Sequence, residues 1–213
     1  MTDKSLELAS LLCSRLCHDM LSPVGALSNG LELLADEKDP EMRQRCFELL
    51  EQSARISTDK LKFFRLAFGA AGGFGEMVAV DEARSVVDAL LSNNERITVN
   101  WALSTSELPK AAIKVLLNLA QIGMDALVRG GTLDIGAELR EGASEIVVRA
   151  SGPKIAFDAN IGKALDGTMA PQDLSSRTAA AHMLHKLAHR AGGGIQFAKS
   201  GDALVMGAVL PQG

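Results

Sequence analysis

The first 35 or so residues of the chain fit one regular conformation. From Leu6 onward, apolar side chains recur at steps of three or four: Leu6, Ala9, Cys13, Leu16, Met20, Val24, Leu27, Leu31 and Leu34. At ~100° per residue these positions line one face of a helix. The spacing predicts a helix over 4–35, followed by the polar turn Asp36-Glu37-Lys38-Asp39. Asp39-Pro40 then supplies an N-cap with proline at the first helical position. The second helix runs through Met42, Cys46, Leu49, Ser53, Ile56, Phe63 and Ala67 to about Phe68. A hairpin of two helices this long cannot bury both stripes on itself. Pairing with a second copy into a four-helix bundle can, so a homodimer is expected.

His18 points away from that stripe, about 200° round from Leu16 at ~100° per residue. Its neighbours on the outer face are Ser14, Ser22, Gly25 and Asn29, with Leu11 and Leu21 beside them. Pro23 has no N–H for the carbonyl of Asp19 one turn back, so the helix is expected to bend there. A lone histidine on a helix is most often a plain surface residue. Here it combines an acid directly after it, a hydroxyl four residues on and a proline five on.

Composition excludes several classes. A chain of 213 residues can hold two small domains. A net charge of −4 and a pI of about 5.6 give no reason to expect a nucleic-acid partner. The opening Met1-Thr2-Asp3-Lys4-Ser5 is charged and lacks an apolar signal-peptide core. No run of about 18 uncharged apolar residues exists, so no membrane span is expected. Three cysteines without CxxC spacing support neither a disulfide framework nor a zinc site. The expected setting is cytoplasmic.

The segment Gly69-Ala70-Ala71-Gly72-Gly73-Phe74-Gly75 reads as a linker, dividing the chain into a helical hairpin over 1–73 and a second domain over 74–213. Strands are expected at 77–80, 96–103, 132–140, 144–151, 194–199 and 203–210. Helices are expected at 81–93, 109–128 and 176–190, with Asp81 starting the first of them, and 153–173 is expected to be irregular. The fold class is therefore α+β: an antiparallel helical hairpin followed by an α/β sandwich with helices on one face of a mixed sheet. His182, His185 and His189 share one face of the last helix, but His182 and His189 are about 10.5 Å apart along the axis at 1.5 Å per residue. They cannot share one zinc ion, and their face is expected to meet solvent. Gly192-Gly193-Gly194 closes a helix and reads as a C-cap and turn, not a phosphate loop.

The stretch His18-Asp19-Met20-Leu21-Ser22-Pro23 resembles the phosphoacceptor box of dimerising histidine kinases, His-Glu/Asp-x-x-Thr/Asn-Pro, with Ser22 in the Thr/Asn place. The elements of the second domain resemble the ATP-binding Bergerat domain of the same kinases. The nucleotide motifs depart from that pattern. Asn118-Leu119-Ala120-Gln121-Ile122-Gly123 puts Ile122 where the family has the Asn that holds Mg²⁺, and an apolar side chain cannot ligate a hard cation. Ala150-Ser151-Gly152-Pro153-Lys154 has Ala150 for the adenine-binding Asp and Lys154 for a glycine. Thr178-Ala179-Ala180-Ala181 stands where the last glycine motif would be.

A kinase-like body with a phosphoacceptor box and without ATP motifs resembles the ChpT-type histidine phosphotransferases. That resemblance implies a dimeric relay with no bound cofactor and no ATP. It takes a phosphoryl group from the receiver aspartate of a hybrid sensor kinase (CckA-like) and gives it to response-regulator receivers (CtrA-like), in a cell-cycle relay. The neutralising Mg²⁺ would sit in the receiver. His18 is then the phosphoacceptor. Asp19 matches the acid that accepts the imidazole proton, and Ser22 the residue that assists dephosphorylation. Arg15 and Lys60 are candidates to steady the phosphate, with a solvated charge as the plainer reading of each. Leu21, Ser22, Gly25, Ser28 and Asn29 are expected to form the docking face. The competing readings are a degenerate but active kinase, a receiver-binding scaffold that does not use His18, and an ATP-independent response-regulator phosphatase.

Overall fold

The computed structural model describes residues 2–69, 76–92 and 94–212. Two helices, α1 (Thr2–Asp36) and α2 (Pro40–Phe68), form the hairpin. Pro23 lies inside α1, which runs through it as one helix. The turn is built by side chains. Asp39 accepts the N–H of Glu41 at 3.0 Å, while Arg43 donates to the carbonyls of Leu34 at 3.1 Å and Glu37 at 2.9 Å, which satisfies groups the end of α1 would leave unpaired. At Gly30 an added Cβ would stand 2.9 Å from Leu50, so the two helices approach closely there.

The rest of the chain runs β1 (Met77–Ala79), α3 (Val80–Leu91), β2 (Ile97–Leu103), β3 (Glu107–Pro109), α4 (Lys110–Ala126), β4 (Gly131–Arg140), β5 (Ala143–Ser151), α5 (Ala159–Leu165), α6 (Ala179–Arg190), β6 (Gly194–Ser200) and β7 (Ala203–Pro211). The main sheet is five-stranded and mixed, in the order β2-β4-β5-β7-β6, with β2 and β4 parallel and the other pairs antiparallel. Alternation along β4, β5 and β7 buries Leu133, Ile135, Ile146, Val148, Leu204 and Met206 on one face. Val147, Val205 and Val209 stand exposed on the other.

Helix α4 is buried on nearly every side, including Ile113, Leu116, Leu117, Leu119 and Ile122. Such a helix must be covered all round. The sheet covers one side and the hairpin the other, for Phe63, Leu66 and Ala67 of α2 belong to the same core as α4 and the sheet. Gly123 permits the close approach to the sheet, since an added Cβ there would meet Leu133 at 2.6 Å. The fold is α+β as expected, but the last turns of α2 are packed into the second domain and do not stand apart from it. Of the expected linker, 70–75 lies outside the described residues, and so does the expected division between 73 and 74.

Several local readings need correction. Asp81 lies inside the first turn of α3, whose cap position is Ala79. The stretch expected to be irregular contains α5, and β1 pairs with the unexpected short strand β3. The face of α6 that carries the histidines is not simply a solvent face. His182 and His185 are half-buried, and His185 Nδ1 lies 3.2 Å from the carbonyl of Leu165 at the end of α5. Burial, with the nearby charges of Lys186 and His185, holds the pKa of His182 below the usual imidazole range. Gly192 adopts φ +74° just beyond α6, and the N–H of Gly193 reaches the carbonyl of Ala188 at 2.9 Å, which is a helix stop as read.

Candidate phosphotransfer site

His18 stands on the middle of α1 with 83 % of its side chain exposed. Its Nδ1 lies 3.1 Å from Oδ1 of Asp19. An ionised carboxylate can only accept, so in the neutral ring this contact selects the tautomer with the proton on Nδ1 and the lone pair on Nε2. Adjacent helical residues diverge by ~100°, yet this pair still meets at hydrogen-bond distance.

The other oxygen, Asp19 Oδ2, accepts from Arg15 Nε at 2.6 Å, one turn earlier. The guanidinium continues to Asp125 of α4, with Nη2 at 3.5 Å from Oδ2. Asp125 is in turn held by Gln121 Nε2 at 2.8 Å. One chain of polar contacts thus runs from the exposed imidazole through α1 and into the second domain. Burial raises the Asp19 pKa, but the bonds from Arg15 and His18 and the charges of Arg15 and Lys60 outweigh it. The carboxyl is held below the usual range. Asp125 shifts the other way: the packed walls of the cleft push it up, against the lowering effect of Arg15 and Gln121. About half of its side chain (53 %) stays open to water, so its crowding is one-sided. Asp19 therefore stabilises the fold above its unfolded pKa, and that contribution is lost as pH falls through its lowered folded pKa.

Lys60 is engaged beside the site. Its ammonium donates to the backbone carbonyl of Asp19 at 2.9 Å. That carbonyl is the one Pro23 leaves without a helical partner. Lys60 therefore completes the backbone beside the site rather than reaching free into solvent. We expect Lys60→Met to leave this half-buried carbonyl unpaired, at a cost of about 1–2 kcal/mol. At roughly 2–4 °C per kcal/mol for a chain of this size, the melting temperature should fall by several degrees. Unchanged melting would mean that water serves the carbonyl equally well. Arg15 is likewise engaged between two carboxylates.

The expected docking face is brought together along the outside of α1. Leu21 is 70 % exposed, Ser22, Ser28 and Asn29 are exposed, and Gly25 is half-buried. An added Cβ at Gly25 would meet nothing within 4 Å, so the space above it is open.

The positions matched to nucleotide motifs have taken other work. Asn118 donates to the carbonyls of Ala67 in α2, at 3.3 Å, and Lys114, at 2.8 Å, pinning the hairpin to α4. Ile122 and Ala150 are core residues. The cleft lined by Asn118, Ile122, Ala180 and Ala181 is closed by Phe63, Phe64, Phe68 and Arg15 of the hairpin and encloses a cavity of only about 40 Å³. Asp125 and Gln121 had no signal in the sequence beyond their spacing of four.

A long hairpin with an exposed His–Asp pair, joined to a kinase-like sheet domain, defines a phosphotransfer protein of the two-component type. Comparison with known proteins agrees. Residues 80–203 match the family described as "Histidine phosphotransferase C-terminal domain". The chain is 39 % identical over 151 residues to the protein phosphotransferase ChpT of Brucella abortus (strain 2308), covering 71 % of this chain and 70 % of that one. A solved bacterial phosphotransferase superposes with a TM-score of 0.83 at 32 % identity, over 95 % of this chain and 96 % of that one. A histidine kinase, ThkA, solved in complex with the response regulator protein TrrA, shares the fold at a TM-score of 0.51 and 17 % identity, covering 100 % of this chain and 65 % of that one. The chain belongs to the ChpT-type histidine phosphotransferase family. It is a phosphotransferase of a phosphorelay, and not an ATP-dependent kinase.

Proposed function

We propose that His18 is the phosphoacceptor and that the chain relays a phosphoryl group between receiver-domain aspartates. The observation that carries this reading is the exposed imidazole with Nδ1 held by the Asp19 carboxylate at 3.1 Å. Nε2 is then the nucleophile. In the forward step its lone pair forms the N–P bond as the acyl phosphate P–O bond of the docked receiver breaks, and the receiver carboxylate leaves. The ring becomes cationic as this bond forms. Asp19, kept ionised by Arg15 and Lys60, stabilises that charge at Nδ1. Transfer to a second receiver reverses the same step. The charge on the transferring oxygens would be met by a Mg²⁺ ion held in the receiver. Among the described residues no three His, Cys, Asp or Glu side chains cluster as a metal cradle, and Asp19 and Asp125 already share Arg15.

The closed cleft supports a relay without ATP, because a cavity of about 40 Å³ is far below the roughly 300 Å³ that small-ligand sites need. The working form in this reading is a homodimer. Leu6, Leu31, Leu49 and Leu61 are 56–68 % exposed in the single chain, and a groove between α1 and α2 is lined by Leu12, Leu16, Met20, Leu61, Phe64 and Phe68. A second hairpin would cover both. Among the described residues no helix is long and apolar enough to cross a membrane. Ser22, one turn from His18, assists dephosphorylation in this reading.

Receivers in this reading dock along Leu21, Ser22, Gly25, Ser28 and Asn29. Gly25→Trp tests the face, because open space lies above Gly25 and the substitution strikes only a docked partner. The dimer and its melting should be nearly unchanged. Transfer should slow at least tenfold, about 1.4 kcal/mol of transition-state binding. Transfer at the native rate in a folded Gly25→Trp dimer would put the docking face elsewhere. The reading as a whole is tested by incubating the chain with a phosphorylated hybrid-kinase receiver without nucleotide and assaying acid-labile phosphate on it.

A further inference from the structure

We propose that Asp125, on α4 of the second domain, is a positioning residue for phosphotransfer at His18, acting through Arg15 and Asp19. The inference rests on the reading of His18 as phosphoacceptor and gives the second domain a task in the chemistry.

The geometry is a competition for one carboxylate. Asp19 divides its oxygens: Oδ1 faces His18 Nδ1 at 3.1 Å and Oδ2 accepts from Arg15 Nε at 2.6 Å. A guanidinium prefers to grip both oxygens of a carboxylate with two parallel N–H groups. If Arg15 did so here, Oδ1 would be drawn from the imidazole. Asp125 opposes this, because it pulls the terminal nitrogen, Nη2, toward its own Oδ2 at 3.5 Å and away from Oδ1 of Asp19, while Nε stays on Oδ2 of Asp19. Gln121 fixes Asp125 by donating at 2.8 Å to its other oxygen, Oδ1. Asp125 can serve as a fixed point because α4 is buried between sheet and hairpin. Asn118, two turns earlier on the same helix, locks α4 to the carbonyl of Ala67 in α2. The other charged groups near the network are Lys60 of α2, which is engaged with the Asp19 carbonyl, and Arg177 ahead of α6, which pairs with Asp158 at 3.8 Å. Neither takes the place of Asp125 on Arg15.

The consequence is specific. Without Asp125, Arg15 is free to swing onto both oxygens of Asp19 and competes with His18 for Oδ1, so the ring spends less time with Nδ1 protonated and Nε2 free. Fold and dimer are unaffected, because Asp125 is half-exposed and lies at the rim of the cleft.

The test uses the full chain and a hybrid-kinase receiver domain, phosphorylated by its kinase and freed of nucleotide. Transfer rates and melting are measured for Asp125→Ala, Asp125→Glu, Arg15→Gln, the Arg15→Gln/Asp125→Ala double variant and a His18→Ala control. The tautomer of His18 is read from ring-nitrogen NMR shifts without any phosphodonor. Asp125→Ala should slow transfer about tenfold with melting unchanged, and Asp125→Glu should restore most of the rate. The Nδ1–H tautomer should fall in the Ala variant. In the Arg15→Gln background, removal of Asp125 should change nothing further, because it acts through Arg15. Native rate and tautomer in Asp125→Ala, or effects that add to those of Arg15→Gln, would overturn the inference. So would a slowed rate that tracks a lowered melting temperature without rescue by Glu. Phosphate acceptance by His18→Ala would instead overturn the phosphoacceptor reading, while the tautomer measurement still judges Asp125.

Discussion

His18→Ala is expected to abolish phosphoryl acceptance and to leave the fold and the proposed dimer intact. The ring is 83 % exposed and makes one hydrogen bond, to Asp19, which keeps Arg15 and the charge of Lys60 when the ring is gone. Substitutions at such surface positions change stability by only about 0.5 kcal/mol or less. The chemical loss is complete because alanine offers no nucleophile. Cys17, the adjacent residue, is also exposed, but it lies ~100° away round the helix and lines the apolar groove between α1 and α2. The check pairs an acid-lability assay with a melting curve. Acid-labile phosphate on the Ala variant would remove His18 from its assigned role, and a lost melting transition would show that the ring supports the fold.

Leu31→Glu is expected to convert the proposed dimer into monomers or aggregates. Leu31 is 59 % exposed in the single chain although it continues the apolar stripe of α1, and Leu49 of α2 is 56 % exposed. In a four-helix bundle both are covered by the second copy. A carboxylate buried there without a partner costs several kcal/mol per site, and twofold symmetry brings the cost in twice. The secondary structure should persist, since the core around α4 is remote from Leu31. Light scattering with far-UV circular dichroism reads both. A native chain that is monomeric, or a Leu31→Glu chain that still dimerises, contradicts the bundle.

The parts of the fold that were legible are those fixed by local rules. The stripe of α1, the Asp39-Pro40 start of α2 and the strands β4, β5 and β7 are local patterns that extend over several turns or pairs, and their bounds agree with the expected ones within two residues. Helix α5 was missed because seven residues containing Gly162 give no periodic signal. That omission carried a second error, for α5 is what half-buries the histidine face of α6 through His185 and the carbonyl of Leu165. At the site, His18, Asp19 and the open ridge through Gly25 follow from spacing along one helix. The tasks of Lys60 and Asp125 do not. Lys60 completes a backbone carbonyl 41 residues away, and Asp125 meets Arg15 across 110 residues. Contacts of that span depend on how α4 packs against the hairpin, which no local pattern encodes.

The central claim is tested most directly by finding the phosphate. The native chain is mixed with a phosphorylated receiver domain in the absence of ATP, quenched at alkaline pH, and its phosphorylated peptide and ring nitrogen are identified by mass spectrometry and phosphorus NMR. The expected result is a single acid-labile phosphoramidate on Nε2 of His18, lost when an unphosphorylated receiver is added. Phosphate on another residue, or release of inorganic phosphate from the receiver with none captured by the chain, would contradict the relay.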